Sequence, residues 1–551
     1  MGNRHIASAM FAGAVATGLQ MLISLLITPM VTNSVGIEAY GFVTLAKTFT
    51  SYADIIMVAL NSYASRYISI SYLSKKKDDF NKYYNTVFFS DLAIGGCILV
   101  TGLILDINLT LAIKVPNHLV HDVKFLFLLT FLAFFLTTLS TAFSATAYAA
   151  DNLLIYNIIR AASYIAQIIV LYYSFHIGNS HVWYVGIATS VTALVVLLGS
   201  YFMKSQSIPE ARIRAKDYSK DAFGTLVKNG IWNSVNSLGN ALNSGLDLLI
   251  TNLMLTATGM GQLSISKTIA NTVFTLYAVI AQPFQPRLLR QYAEKDKENL
   301  VKTLIRSMQI SGLLTNVILA GFVAVGEEFY QLWVPTQNVH LLYILTILAL
   351  LPAISEGCVY PLYYIYTLTV KNKVPCFVTI IGGLANVVSM YFLIKYTSLG
   401  LYAVLLTTAV VMNIINLITN PLYMTHCLKV SKRTFYPQIV KNIISLIAAS
   451  ALLLFLSTKV AVSSWGGLLI KIIVLGLVGA VIQIPIQFDR KYIRTCFRRL
   501  FKHSTSDLVL TGEYENRTIS QTDRQTDRQT DRQTDRQTDR QTDRQTDRTH
   551  R

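Results

Sequence analysis

Residues 125–148 read FLFLLTFLAFFLTTLSTAFSATAY, 24 residues without one Asp, Glu, Lys or Arg. As a helix rising 1.5 Å per residue, the stretch reaches about 36 Å. A membrane hydrocarbon core is about 30 Å thick, so one such helix crosses it. The stretch is not isolated. Comparable runs have approximate limits 8–32, 42–63, 86–110, 123–148, 155–177, 182–203, 226–254, 262–284, 304–325, 341–367, 375–395, 399–422, 439–458 and 465–487. Composition agrees: 53% of residues are hydrophobic and 14% are charged, against about 25% charged in soluble domains. Mean hydropathy is +0.46. These values exclude a soluble globular enzyme and a disordered chain. A β-barrel needs alternating segments of about ten residues, and none dominate. The expected fold is an all-α polytopic membrane protein with about 14 transmembrane helices.

The net charge is +18. In a soluble protein that would point to nucleic acid. Here the basic residues sit between apolar runs, so no nucleic-acid partner is expected. Alternate connections and the termini carry 31 Lys and Arg before the final tail, and the other connections carry only Lys114, Lys124, Lys395 and Lys459. Such asymmetry places the basic side in the cytoplasm. Both termini are therefore expected to be cytoplasmic, in a multi-pass protein of the cell inner membrane. The first apolar run, Ile6 to Thr32, is too long for a cleavable signal and reads as the first span. Cys97, Cys358, Cys376, Cys427 and Cys496 are scattered, so neither a metal site nor a disulfide framework is expected.

The longest basic connection follows span six. The chain divides into an N-terminal six-helix lobe (1–203), a basic linker (204–225), a C-terminal six-helix lobe (226–425), helices 13 and 14 (426–487) and a tail (488–551). Sliding the chain by 223 residues brings Leu25–Thr28 onto Leu248–Thr251 and Gly36 onto Gly259. Polar positions coincide as well: Thr17 with Asn240, Gln20 with Asn243, Ser24 with Asp247. A six-helix unit duplicated in parallel orientation is expected. The tail holds seven copies of Gln-Thr-Asp-Arg over 521–548. With no apolar residue to bury, these repeats should be disordered.

No phosphate loop of the GxxxxGK[ST] type occurs, nor HExxH or GxSxG. The chain is expected not to be an enzyme and to need no cofactor. The energy for any transport must then come from an ion gradient or from the substrate's own. The informative residues are the ionisable ones inside spans: Lys47, Asp54, Asp91, Asp247, Lys267 and Glu356. Each costs about 2.5–3.5 kcal/mol at a lipid-facing helix centre, so each should face protein or a cavity. Lys471, nearer a helix end, is expected to snorkel. Lys47 and Asp54 are seven apart and share a face of helix 2, with Asn61 near it. Lys267 and Asn271 share a face of helix 8. On helix 7, Asn229, Asn233, Asn236, Asn240, Asn243 and Asp247 recur at spacings of four and three. That stripe is about 27 Å long at 1.5 Å per residue. Such amides can be glue between helices. Six in register favour the lining of a water-filled cavity between the lobes, opposite Lys47 and Asp54. Tyrosines such as Tyr360, Tyr363, Tyr364 and Tyr366 can stack on sugar rings in a cavity or form interface belts.

Gly36-x-x-x-Tyr40-Gly41 after helix 1, then helix 2 leading to Arg66 and a basic loop, resembles the polysaccharide-type flippases. These belong to the multidrug/oligosaccharidyl-lipid/polysaccharide exporter superfamily. The two lobes, the extra helix pair and the linker Lys204–Lys228 resemble its fourteen-helix members. The resemblance covers roughly residues 1–487 and implies two lobes forming a V around a cavity that opens alternately to each side. It implies a lipid-linked oligosaccharide as cargo: an undecaprenyl-pyrophosphate repeat unit of a capsule or O-antigen. Lys47 and Lys267 then fit the pyrophosphate, with Asp54, Asn236, Asn240, Asn243, Asp247 and Asn271 completing the substrate-binding set. H+ or Na+ is the implied coupling ion, and membrane lipids surround the body. Two readings within the superfamily compete. One is a cation-coupled multidrug antiporter, which would rely on Asp54 and Asp247. The other is a flippase for a peptidoglycan precursor. A membrane polymerase or ligase would carry a large outer loop, and the outer loops here are short.

Overall fold

The computed structural model describes residues 3–75, 77–177, 180–369 and 371–489. The N-terminal lobe comprises α1 (Asn3–Ser34), α2 (Ile37–Asn61), α3 (Lys77–Ile107), α4 (Val120–Ala149), α5 (Leu153–His176) and α6 (Tyr184–Ser207). A short helix, Ala64–Leu73, extends α2. The second lobe opens with α7 (Lys220–Asn240), which passes through a π-turn at Ala241–Gly245 and resumes over Asp247–Met254. Then come α8 (Ala257–Ala281), α9 (Lys297–Trp333), α10 (Val339–Leu350), α11 (Lys373–Tyr396) and α12 (Leu401–Ile414). The last pair is α13 (Tyr436–Ser457) and α14 (Trp465–Gln487). No strand occurs among the described residues.

Thirteen helices are long and apolar enough to cross a membrane among the described residues. The expected seventh span is also helical, but its amides leave it short of that apolarity. The chain is an all-α multi-pass membrane protein. Prolines mark the breaks. Pro283 lies in a 3₁₀ turn, Gln282–Phe284, and Pro352 separates α10 from the segment Ala353–Val359. Pro421 follows a second π-turn, Ile415–Thr419. Each lacks the amide donor that a continuous helix needs. Pro29 stands inside α1, which runs on unbroken.

Helix pairing repeats between the lobes. In the first, α1 packs on α2 and α5, α4 on α2, α3 and α6, and α5 on α6. In the second, α7 packs on α8 and α11, α10 on α8, α9 and α12, and α11 on α12. Each of these pairings recurs six helices later. The offset for the second helix of each lobe is 220, not 223. It aligns the cap residue Gly36 with Thr256, Gly41 with Gly261 and Lys47 with Lys267. Residues related by it also meet one another. Glu38 Oε1 accepts from Thr258 Oγ1 at 2.6 Å. A β-carbon on Gly41 would lie 2.8 Å from Met260 and 3.0 Å from the Gly261 nitrogen, and one on Gly261 would overlap the Ile37 carbonyl. Only glycine allows two backbones this close.

The lobes are therefore fastened at the end opposite the linker. Trp333 Nε1 donates to the Leu25 carbonyl at 2.9 Å, and Thr336 bonds Asn33 at 3.1 Å. A second seam runs between α2 and α7. There Gly230 abuts the Ala59 carbonyl, Ser234 Oγ donates to Ile55 O, and Tyr52 donates to Gly245 O at 2.7 Å. Its counterpart, α8 against α1, is much looser.

Helix α13 docks on α9 through Asn316, whose Nδ2 reaches Asn442 Oδ1 and Ser445 Oγ, both at 3.0 Å. Lys471 does not snorkel. It is buried and pairs with Glu328 on α9 at 2.8 Å. A carboxylate across the helix interface satisfies the ammonium more closely than the distant water would. The Gln-Thr-Asp-Arg repeats lie outside the described residues.

Candidate functional site

Three helices border a cleft on the linker side of the Gly41–Gly261 crossing. Thr17, Gln20 and Ser24 come from α1, Thr44, Lys47, Thr48 and Ser51 from α2, and Asn271, Thr272 and Thr275 from α8. Its volume is about 330 Å³. The hydroxyls donate back to their own helices: Thr17 to Gly13 O at 3.0 Å, Thr48 to Thr44 O at 2.9 Å, Thr275 to Asn271 O at 2.8 Å. Their lone pairs are left for a ligand that donates, as sugar hydroxyls do.

The two aligned lysines differ in their partners. Lys267 donates to Asp247 Oδ2 at 2.6 Å and to the Ser244 carbonyl at 2.6 Å. The Asp247 side chain is 1% exposed. This pair is internal to the C-terminal lobe. Lys47 has no ion-pair or hydrogen-bond partner for its ammonium among the described residues, and it is exposed to the cleft. One cation, not two, is therefore free.

The amide stripe does not face Lys47 and Asp54. The face of α7 turned to α2 carries Gly230, Ser234 and Gly245, because that close seam admits only small residues. Asn233, Asn236, Asn240 and Asn243 point into their own lobe. Asn233, Asn236 and Asn240 line a cavity of about 410 Å³ with Glu356, Tyr360, Tyr363, Asn416 and Asn420. Asn240 and Glu356 also border a smaller cavity of about 260 Å³, which holds Asn243, Asp247, Lys267 and Asn271. Asn243 is buried and acts as glue: its Nδ2 donates to Thr379 O at 2.7 Å. Asn229 bonds the Tyr67 hydroxyl at 3.0 Å. Asn271 borders both the cleft and the smaller cavity.

Asp54 is exposed and does not border these cavities. Asn61 turns away from it and donates to buried Asp91 at 3.0 Å. The structure thus gathers Lys47 with Asn271, and separately Asn236, Asn240, Asn243, Asp247 and Lys267. Sequence reasoning left out the amides that follow α12: Tyr363 donates to Asn416 Oδ1 at 2.6 Å and Tyr366 to Asn420 Oδ1 at 2.9 Å. Their signal was present, since Asn413, Asn416 and Asn420 repeat the three-and-four spacing of α7. Glu356, half-buried between the two cavities, makes no ion pair among the described residues.

A family model described as polysaccharide biosynthesis protein matches residues 7–291. The chain belongs to that family. Every cleft residue named above lies inside the matched stretch. A curated relative is "Uncharacterized membrane protein EpsK" from Bacillus subtilis (strain 168). It is 26% identical over 459 residues, covering 82% of this chain and 89% of the relative. Solved structures share the fold, among them the two that follow. The lipid II flippase MurJ in an inward closed conformation aligns with a TM-score of 0.64 at 15% identity, over 86% of this chain and 97% of MurJ. An inward-facing multidrug resistance MATE transporter of the MOP superfamily aligns at 0.62 and 14% identity, over 76% and 99%. The chain shares the fold of these two proteins.

Proposed function

We propose that the protein moves a lipid-linked oligosaccharide across the cytoplasmic membrane by alternating access, as a capsule or O-antigen flippase does. The cargo is an undecaprenyl-pyrophosphate-linked repeat unit. Its phosphates meet Lys47, and its sugars meet the hydroxyls and amides of the cleft. The observation that carries this reading is the unpaired ammonium of Lys47 in a cleft between the lobes. Nothing acidic borders that cleft among the described residues. The antiporter reading relies on Asp54 and Asp247, and it is less well served: Asp54 does not border the cleft, and Asp247 is already paired. A peptidoglycan precursor carries the same pyrophosphate, so Lys47 does not separate the two flippase readings. Glu356 is the carboxylate placed to take a coupling H+ or Na+.

The test is complementation of a strain lacking its glycan flippase, with surface polysaccharide scored beside membrane protein level. A charge-assisted hydrogen bond contributes about 1.5–3 kcal/mol, so Lys47→Ala should lower export by about tenfold to a hundredfold. Lys47→Arg should be milder. Normally expressed Lys47→Ala that exports fully would refute the anionic-cargo reading.

Orientation is part of the proposal. With both termini cytoplasmic, the linker end faces the cytoplasm and the cleft is open inward. In a cysteine-free background, Val460→Cys between α13 and α14 should react with an impermeant thiol reagent in intact spheroplasts. Ser219→Cys in the linker should stay silent. The reverse pattern would invert the topology.

A further inference from the structure

Away from the cleft, residues 208–213 fold over a small cavity at the end of α6. Tyr201, Lys204, Ser205, Pro209, Ala211 and Arg212 border it, and its volume is about 330 Å³. The covering turn is held in place: Asn85 donates to Arg212 O at 3.1 Å and accepts from Arg214 N at 2.8 Å. Lys204 is only 6% exposed. Its ammonium lies 5.6 Å from the Tyr201 ring centre and 5.7 Å from that of Tyr84. It has no carboxylate partner and no hydrogen bond among the described residues. The acid of the same turn, Glu210, is taken by Lys77 at 2.7 Å. The buried Tyr84 hydroxyl also lacks a partner.

A lysine at a helix end ordinarily snorkels to water. An enclosed ammonium facing two ring edges or faces recovers only part of its lost hydration, and a bound anion would supply the rest. Arg212 offers a planar fork beside it, which suits phosphate oxygens. The approach to the cavity is apolar. Leu198, Tyr201, Phe202 and Ser205 follow helical spacing along one side of α6, and Leu198 and Phe202 are 58% and 64% exposed. That row leads from the lipid-facing surface to the cavity mouth.

We propose that this cavity binds a phosphate group, held by Lys204 and Arg212, and that the phosphate belongs to an anionic phospholipid whose chains lie along Leu198 and Phe202. The site is separate from the cleft and does not depend on the cargo. It fastens the linker to the N-terminal lobe through the membrane itself.

The experiment uses the full chain purified in detergent. Retention of phosphatidylglycerol is measured by native mass spectrometry against phosphatidylcholine, with inorganic phosphate as competitor. Phosphatidylglycerol should be retained in preference. Lys204→Met and Arg212→Gln should each lower its retention about tenfold, the size of one charge-assisted hydrogen bond. Lys204→Arg should keep it. Arg212 is exposed, so Arg212→Gln decides the matter even where Lys204→Met folds poorly. Equal retention of the two lipids, or undiminished retention in Arg212→Gln, overturns the proposal. Displacement of the lipid by inorganic phosphate would assign the cavity to a soluble phosphate and overturn the lipid reading.

Discussion

Replacing Lys267 with alanine is expected to remove most of the folded protein from the membrane. The substitution leaves Asp247, 1% exposed, without its countercharge. Breaking a buried pair from one side costs about 3–5 kcal/mol. Typical total stabilities are about 5–15 kcal/mol, so the loss is a large share. The Asp247 Oδ1 atom is already buried without a hydrogen bond, so the carboxylate has no second partner to fall back on. Removing both charges, in Lys267→Ala with Asp247→Ala, should restore much of the yield, because no lone buried charge then remains. Membrane yield and the thermal midpoint of the purified protein provide the readout. Lys47→Ala should leave both unchanged, since it deletes a cation that pairs with nothing. Equal damage from Lys47→Ala and Lys267→Ala would show that the two lysines have the same role after all.

A second large effect is expected at the crossing of α2 and α8. Valine at Gly261 places branched carbons against the Ile37 carbonyl, where even one β-carbon overlaps. Overpacking of this kind costs about 1–3 kcal/mol and more where backbone must yield. The cost falls only on the state in which the lobes touch there. Gly261→Val should therefore fold while shifting the lobes apart at that end. The readout is cross-linking of Glu38→Cys to Thr258→Cys with a short bifunctional thiol reagent. The parent side chains meet at 2.6 Å, so the cross-link should form readily with Gly261 and poorly with valine. In the glycine background, the same cross-link should stop transport by holding one end closed. Unimpaired transport by the cross-linked protein would mean that this end never opens.

Much of the architecture was legible because membrane burial writes itself into composition. Residues 125–148 have one way to hide 24 uncharged positions, and α4 spans them. The site was legible only in part. Helical spacing says which residues share a face, but not which neighbour that face meets. The α7 amides do share a side over Asn233–Asn240, yet Gly230 and Ser234 took the interlobe seam because close backbones exclude amides. Pairing depends on distance in space, so it stayed hidden. Lys267 and Asp247 are 20 residues apart on adjoining helices, and Lys471 finds Glu328 across 143 residues. The register of the duplication slipped by three because apolar helices match one another almost anywhere. The polar landmarks Gly41 with Gly261 and Lys47 with Lys267 fix it better than Leu-Leu-Ile-Thr does.

The π-turns at Ala241–Gly245 and Ile415–Thr419 have a mechanical consequence. A π-turn stores one residue more than the helix needs for its length. Passing that surplus along by a turn rotates the side chains it crosses by about 100°, while both ends of the helix stay where they are. Asn240 stands beside the first store and Asn416 within the second, and both line the large cavity of the C-terminal lobe. That lobe carries slack and can turn its own lining without swinging as a body. The N-terminal lobe has no such store among its described residues.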